Sequence, residues 1–333
     1  MHSHAERGNE THAERGNETH AEPGSKTHAE PGTKTHAEAG GATYAEPGSA
    51  VGGLAVGRPL AGVGVMSGPP ADPRLPPVFP FDWAAEWGED QYGPWVAFRL
   101  KGVRQGLRWV PPGRFLMGSP AQEPERWDDE REHWVTLTHG FWLADTACTQ
   151  ALWQAVMGAN PSRFQGAERP VETVDWDQVQ QFIGQLNAAL PGLDAGLPTE
   201  AQWEHACRAG TRTPFWFGDQ ITPEQVNYDG NHPYPGGAKG QYREQTVEVK
   251  ALPCNAWGLY QMHGNVLEWS RDWYGDYPAD AVDDPAGPEA GRGRVARGGG
   301  WFDLARDCRS AQRNRWEPAD RLGWLGFRLA RGP

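Results

Sequence analysis

The stretch GRVARGGGWFDLARDCRSAQRNRWEPADRLGWLGFRLA (residues 293–330) decides the fold and most of what bears on function. It joins a glycine run to blocks of arginine and tryptophan and holds one cysteine, Cys308. Between residues 292 and 333 ten arginines face only Asp303, Asp307, Glu317 and Asp320, although the whole chain carries a net charge of −12. A basic tail folded onto an acidic body is expected to be absorbed as internal salt bridges; the alternative is a positive face for an acidic ligand.

Working outward, all 17 tryptophans lie beyond residue 80, amid frequent Gly and Pro. Rigid aromatic side chains rather than long helices are expected to fill such a core. Short strands are predicted over 96–103, 105–113, 114–119 and 133–144, where apolar runs or alternation lie between turn residues. Helices are predicted over 149–158, 175–190 and 199–210. Thr149, Asp175 and Thr199 are the N-caps, and Gln178 and Gln202 complete capping boxes. Gly158 and Gly210 supply two of the stops. Residues 211–333 are turn-rich, so the fold class is α+β, with small antiparallel sheets and many loops.

The N-terminal side is different in kind. Residues 4–50 repeat with a period of eight, HAERGNET through YAEPGSA, with almost no large apolar side chain. Such a tract cannot offset its ordering entropy and is expected to be disordered over 1–50. His12, His20, His28 and His36 recur once per repeat and read as solvated spacers. Residues 51–79 form a Gly/Pro-rich linker whose apolar part is broken by Gly, Pro and Arg58, which fits neither a membrane span nor a signal peptide. Met66 offers an alternative start. One folded domain, 80–333, is left.

Cys148, Cys207, Cys254 and Cys308 are widely spaced, without a CxxC pair or zinc spacing. That suits a reduced, cytoplasmic setting. The acidic balance argues against generic nucleic-acid binding, and a monomer is expected.

Six segments occur in a characteristic order: RWVPPGRFLMGSP (108–120), NPSRF (160–164), RPVETVDW (169–176), LPTEAQWEHACRAG (197–210), NAWGLYQMHGNVLEW (255–269) and RVARGGGW…CRSAQRN…GFRLA (294–330). In these the chain resembles the formylglycine-generating enzyme, or sulfatase-modifying factor, family. The resemblance implies an irregular C-type-lectin-like fold with two main helices. It also implies a functional locus, because the family's enzymes bind copper through a cysteine pair after this glycine run and oxidise a sulfatase cysteine. Here Asp303 stands where the first cysteine belongs and Gly300 where an active-site serine belongs; only Cys308 survives. Cuprous copper prefers two soft thiolates, and a carboxylate does not replace one. Copper-dependent oxidation is therefore expected to be absent or severely weakened. Cys308 remains a candidate lone nucleophile, with Arg306 and Arg309 favouring its thiolate, against the commoner state of a buried, inert thiol. Iron is not expected, since the HxxxHxE pattern of the related sulfoxide synthases does not occur.

The same resemblance implies a structural calcium ion on residues 258–269, with carbonyls of Gly264 and Val266, the Glu268 carboxylate and the Gln261 side chain as ligands. The alternative there is a turn in which Asn265 and Glu268 bond backbone amides. A second calcium site is suggested by Asn227 and Tyr228, though its later acidic ligand is missing. A further branch of the family comprises the variable proteins of diversity-generating retroelements. Between the blocks RGG (297–299), CRSA (308–311), RNR (313–315) and GFR (326–328), Phe302, Asp303, Leu304, Asp307, Leu322 and Gly323 are each reachable from an AAC codon by changing adenines alone. Trp316 and Trp324 are not, and ordinary divergence leaves a similar pattern.

Two functions follow as expectations. One is a binding protein whose Trp301, Phe302, Asp303, Leu304, Asp307, Trp316, Leu322 and Trp324 form one exposed surface for a protein or peptide. The other is an oxidoreductase or divergent modifying enzyme acting through Cys308. Core packing is the competing account of the tryptophans, Trp301 above all.

Overall fold

A computed structural model describes residues 75–77 and 79–332, all within the unit spanning Met66–Pro333. The octapeptide repeats, for which disorder is expected, and most of the linker lie outside the described residues. No helix among the described residues is long and apolar enough to cross a membrane.

The longest sheet begins with β1 (Glu86–Asp90), β2 (Gly93–Leu100) and β3 (Val103–Val110), which pair antiparallel in succession. The stretch 96–103, predicted as one strand, is cut because Lys101 and Gly102 both adopt positive φ, 48° and 86°, the two-residue turn that matches strand twist. β4 (Gly113–Met117) and β5 (His133–Leu137) form a separate hairpin. The predicted strand 133–144 is likewise two strands: β5 stays with β4, while β6 (Phe141–Ala144) crosses to β3. Gly140 permits that crossing, since a Cβ there would sit 2.3 Å from the Trp109 ring.

Three helices follow as their caps predict. α1 (Gln150–Met157) starts at Thr149, whose hydroxyl accepts from Leu152 N, and stops at Gly158 with φ 82°. α2 (Trp176–Ala189) carries a complete capping box between Asp175 and Gln178 and buries Val179, Phe182, Ile183 and Leu186. α3 (Glu200–Arg208) carries a second box, Thr199 with Gln202. Its left-handed stop is Ala209 rather than Gly210. α3 buries charged as well as apolar residues, Glu200, Glu204 and Arg208 among them.

The turn-rich C-terminal third holds more pairing than its sequence suggests. β7 (Ala195–Gly196), β8 (Leu267–Trp273), β9 (Val282–Asp283), β10 (Arg294–Arg297), β11 (Arg313–Trp316), β12 (Leu325–Phe327) and β13 (Ala330–Arg331) complete three sheets. Their orders are β1-β2-β3-β6-β13-β7, β11-β10-β8-β12 and β4-β5-β9. Pairing is antiparallel except for β12 with β8 and β5 with β9. Aromatic packing joins the layers: Trp153 stacks on Phe182 at 5.1 Å, and Phe327 meets both edge-on.

The basic tail is absorbed internally. Arg297 pairs with Glu200 and Glu204, Arg309 with Glu123 and Glu130, Arg313 with Glu200, and Arg328 with Glu268. All four arginines are buried. Each fixed block after the glycine run thus plugs a guanidinium into carboxylates from earlier in the chain.

Candidate functional site

The site grows out of the glycine run that ends β10. Gly298 and Gly299 take φ of 102° and 75°, and a Cβ on Gly299 would lie 2.7 Å from Cys308 Sγ. Only glycine lets the chain pass over the thiol here. Asp303 then turns the backbone: its Oδ2 accepts from Gly300 N at 2.8 Å, and its carbonyl accepts from Asp229 N at 2.9 Å. A 3₁₀ turn, Ala305–Cys308, follows.

Around this turn lies an aromatic cluster. The Phe302 and Trp324 rings are 4.3 Å apart, and Trp301 contacts Phe302 at 5.6 Å, Phe164 at 5.3 Å and Tyr242 at 6.1 Å. Arg163 covers Phe164 at 5.0 Å. The eight residues expected as one exposed surface divide. Phe302, Leu304, Leu322 and Trp324 are half-buried. Trp301, Asp303 and Asp307 are buried, and the Trp301 indole donates to Gly323 O at 3.0 Å, which gives that ring a structural role. Trp316 stands opposite Arg294 at the far end of β10, away from the cluster. Arg163, Phe164 and Tyr242 were not anticipated as site residues; NPSRF signals family membership, but nothing local in it announces a cleft wall.

The electrostatics here disfavour nucleophilic chemistry. Burial, then Asp307, pushes the Asp303 carboxyl well above the usual carboxylate range. Burial, then Asp303 and Asp307, pushes the Cys308 thiol up too. This corrects the expected activation by neighbouring arginines. Arg309 is committed to Glu123 and Glu130, and Arg306 lies over Trp127 beside Glu125. Copper does not fit this donor set of one buried thiol and one hard carboxyl oxygen. Among the described residues no group of three or more His, Cys, Asp or Glu is placed to hold a metal.

The residues considered for calcium do not fit that ion either. Both oxygens of Glu268 are taken by Arg328 at 2.6 and 2.7 Å, and Oε2 also accepts from the Trp203 indole at 2.8 Å. Gly264 O accepts from Val266 N, and Gln261 spends its amide on Glu248 O and on Asn265. Asn227, assigned to a separate ion, meets the same hub by donating to Asn265 Oδ1 at 3.1 Å, while Tyr228 is buried. Asn265 thus ties the two loops together with amide hydrogen bonds.

A second Cys/His pair, not foreseen, is inert. Cys207 Sγ lies 3.8 Å from the His263 ring. His263 Nδ1 donates to Cys308 O at 2.7 Å and Nε2 accepts from Trp216 N at 3.1 Å, which fixes a neutral ring. Burial holds its pKa down at about 3 and raises that of Cys207 to about 12. Of the four free cysteines only Cys254 is not buried. We therefore expect Ellman's reagent to titrate one thiol in the native protein and all four after denaturation; rapid native reaction of Cys308 would contradict the assignment.

Comparisons to known proteins bear on the family and the fold. The chain is similar to the formylglycine-generating enzyme of Mus musculus, 30% identical over 189 residues that cover 54% of this chain. It spans 49% of that enzyme's length and 24% of the length of a larger curated relative. Among solved structures it is similar to Treponema denticola variable protein 1, with a TM-score of 0.62, 29% identity and coverage of 72% of this chain and 99% of that one. PvdO from Pseudomonas aeruginosa gives a TM-score of 0.60, 26% identity and coverage of 75% and 99%. Both have the irregular C-type-lectin-like fold described above. The sulfatase-modifying factor enzyme 1-like domain model matches residues 100–333, and the chain belongs to that family.

Proposed function

We propose that this domain is a binding protein that engages a protein or peptide, as a monomer and without nucleic acid, through the cleft of Phe302, Leu304, Leu322 and Trp324. The observation that carries this reading is the half-exposed Phe302–Trp324 pair, 4.3 Å apart, seated on a buried floor of Trp301 and Asp303. Rigid aromatic rings supply contact area at low entropy cost. The similarity to Treponema denticola variable protein 1 supports a surface that changes between fixed blocks, and diversification by a retroelement is part of the proposal. An adenine-rich near-copy of the gene's 3′ end beside a reverse transcriptase gene is the expected genomic sign of it.

The test is selection of a random-peptide display library on the purified protein. Selected peptides are expected to lose more than about tenfold in affinity on Phe302→Ala or Trp324→Ala, with the circular dichroism spectrum unchanged. Peptides that bind these variants as well as the parent would remove the reading. The oxidase alternative predicts stoichiometric copper and formylglycine in a cysteine-containing sulfatase peptide; neither is expected here.

A further inference from the structure

A cavity of about 340 Å³ lies under the loop that follows β8 and shares no lining residue with the aromatic cleft. Its size falls at the lower end of small-molecule pockets. Met117, Trp273, Tyr277 and Val282 supply apolar wall, and Glu200, Arg313, Asp272 and His133 supply buried polar groups.

The polar groups are not equivalent. Arg313 commits four of its five N–H groups, donating twice to Glu200 and once each to the carbonyls of Asp129 and Gly275. Glu200 is likewise spent, because it also accepts from Arg297 and from the Tyr277 hydroxyl. Both are engaged mainly with protein partners. Asp272 is 4% exposed, and its carboxyl accepts from Glu200 N at 2.9 Å without forming a salt bridge among the described residues. Burial, reinforced by Glu200 and only partly offset by Arg271, lifts its pKa to about 7. His133 is 5% exposed and its Nδ1 bonds Arg131 O at 2.9 Å. Because a carbonyl only accepts, Nδ1 carries the proton and Nε2 presents a lone pair with no partner among the described residues. Asp276, exposed, adds a further negative charge to the lining.

What the cavity offers a ligand is therefore chiefly acceptors and apolar wall, with Asp272 and Asp276 in no salt bridge among the described residues. We infer that this cavity binds a small organic ammonium ion, a protonated amine on a compact apolar body, with Asp272 as its counter-ion and His133 Nε2 as a second acceptor.

The inference is independent of the peptide-binding reading, and its test keeps them apart. Benzylamine, phenethylamine and cyclohexylamine are titrated calorimetrically into the full chain at about pH 8, where both the amine and Asp272 are charged, with benzoate and benzyl alcohol as controls. At least one amine is expected to bind, and benzoate not at all. Asp272→Asn, which keeps an acceptor for Glu200 N, is expected to weaken binding at least about tenfold. Ala286→Trp, at an exposed position of the cavity wall, is expected to obstruct entry without disturbing the core. Phe302→Ala is expected to leave amine binding unchanged. Benzoate binding as tightly as the amines, amine binding that survives both cavity variants, or no binding of any amine at about 10 mM would overturn the inference.

Discussion

Replacing Arg297 by alanine is expected to lower the unfolding midpoint by on the order of 10 °C, or to prevent folding. Arg297 is fully buried, and its fork holds Glu200 at 2.9 Å, Glu204, and Ser310 O at 2.7 Å, beneath the Trp203 ring. Removing it leaves Glu204 with Arg208 alone and Glu200 with Arg313, and strips a buried hydrogen bond from each carboxylate and from Ser310 O. Breaking one side of such a network costs about 3–5 kcal/mol, because the remaining charges stay desolvated. A domain of this size shifts by roughly 2–4 °C per kcal/mol. Arg331→Ala, at a half-exposed position near the end of the chain, serves as the control and is expected to change little. Calorimetry on both variants decides; an Arg297→Ala midpoint close to that of the parent would show that the network contributes little.

The second large effect is loss of stability in acid through buried neutral histidines. His205 sits between Phe115 and Trp257, and burial lowers its pKa to about 4. Unfolded, it would titrate near 6.5, so below that pH the unfolded chain binds a proton that the folded chain refuses until about pH 4. Stability contributed by the neutral ring is present above about pH 6.5 and is lost as pH falls toward 4. Between pH 7 and pH 5 the loss is about 2 kcal/mol for this one residue. His263 acts with the same sign, whereas Asp272 and Asp303, whose carboxyls are raised, act oppositely. The effect is therefore read as a difference. Denaturant titrations at the two pH values should show the parent losing about 2 kcal/mol more than His205→Phe, which keeps a ring and removes the proton. Equal losses in the two proteins would refute the assignment.

The helices were legible because their signals are local. Thr149, Asp175 and Thr199 announce their caps in sequence, and α2 shows its apolar stripe. The ion-pair interior was legible in outline, since ten arginines in a tail of an acidic chain need partners, but which carboxylates they reach depends on pairings across 60 to 186 residues. Strand boundaries were less legible, because the turn at Lys101–Gly102 and the crossing at Gly140 depend on backbone signs and close approach rather than on apolar pattern. The site was half legible. Asp303 and Cys308 fall where the motif puts them, and Trp301 turned inward as the core-packing account expects, yet Trp316 went elsewhere, because aromatic residues carry no mark in sequence for which neighbours they meet. Phe164 and Tyr242 join the cleft from segments about 140 and 60 residues away from Trp301 in the chain, and such long-range closure is not written in local pattern.

The anchoring of the tail also bears on how new specificities can arise. Arg297, Arg309, Arg313 and Arg328 seat the constant blocks in sockets made by Glu123, Glu130, Glu200, Glu204 and Glu268. Phe302, Leu304, Leu322 and Trp324 hang between those sockets and contribute no partner to them. The fold thus separates the residues that hold the chain together from the four half-buried positions of the proposed binding surface, so a library confined to those four positions is expected to explore many surfaces on an unchanged chassis.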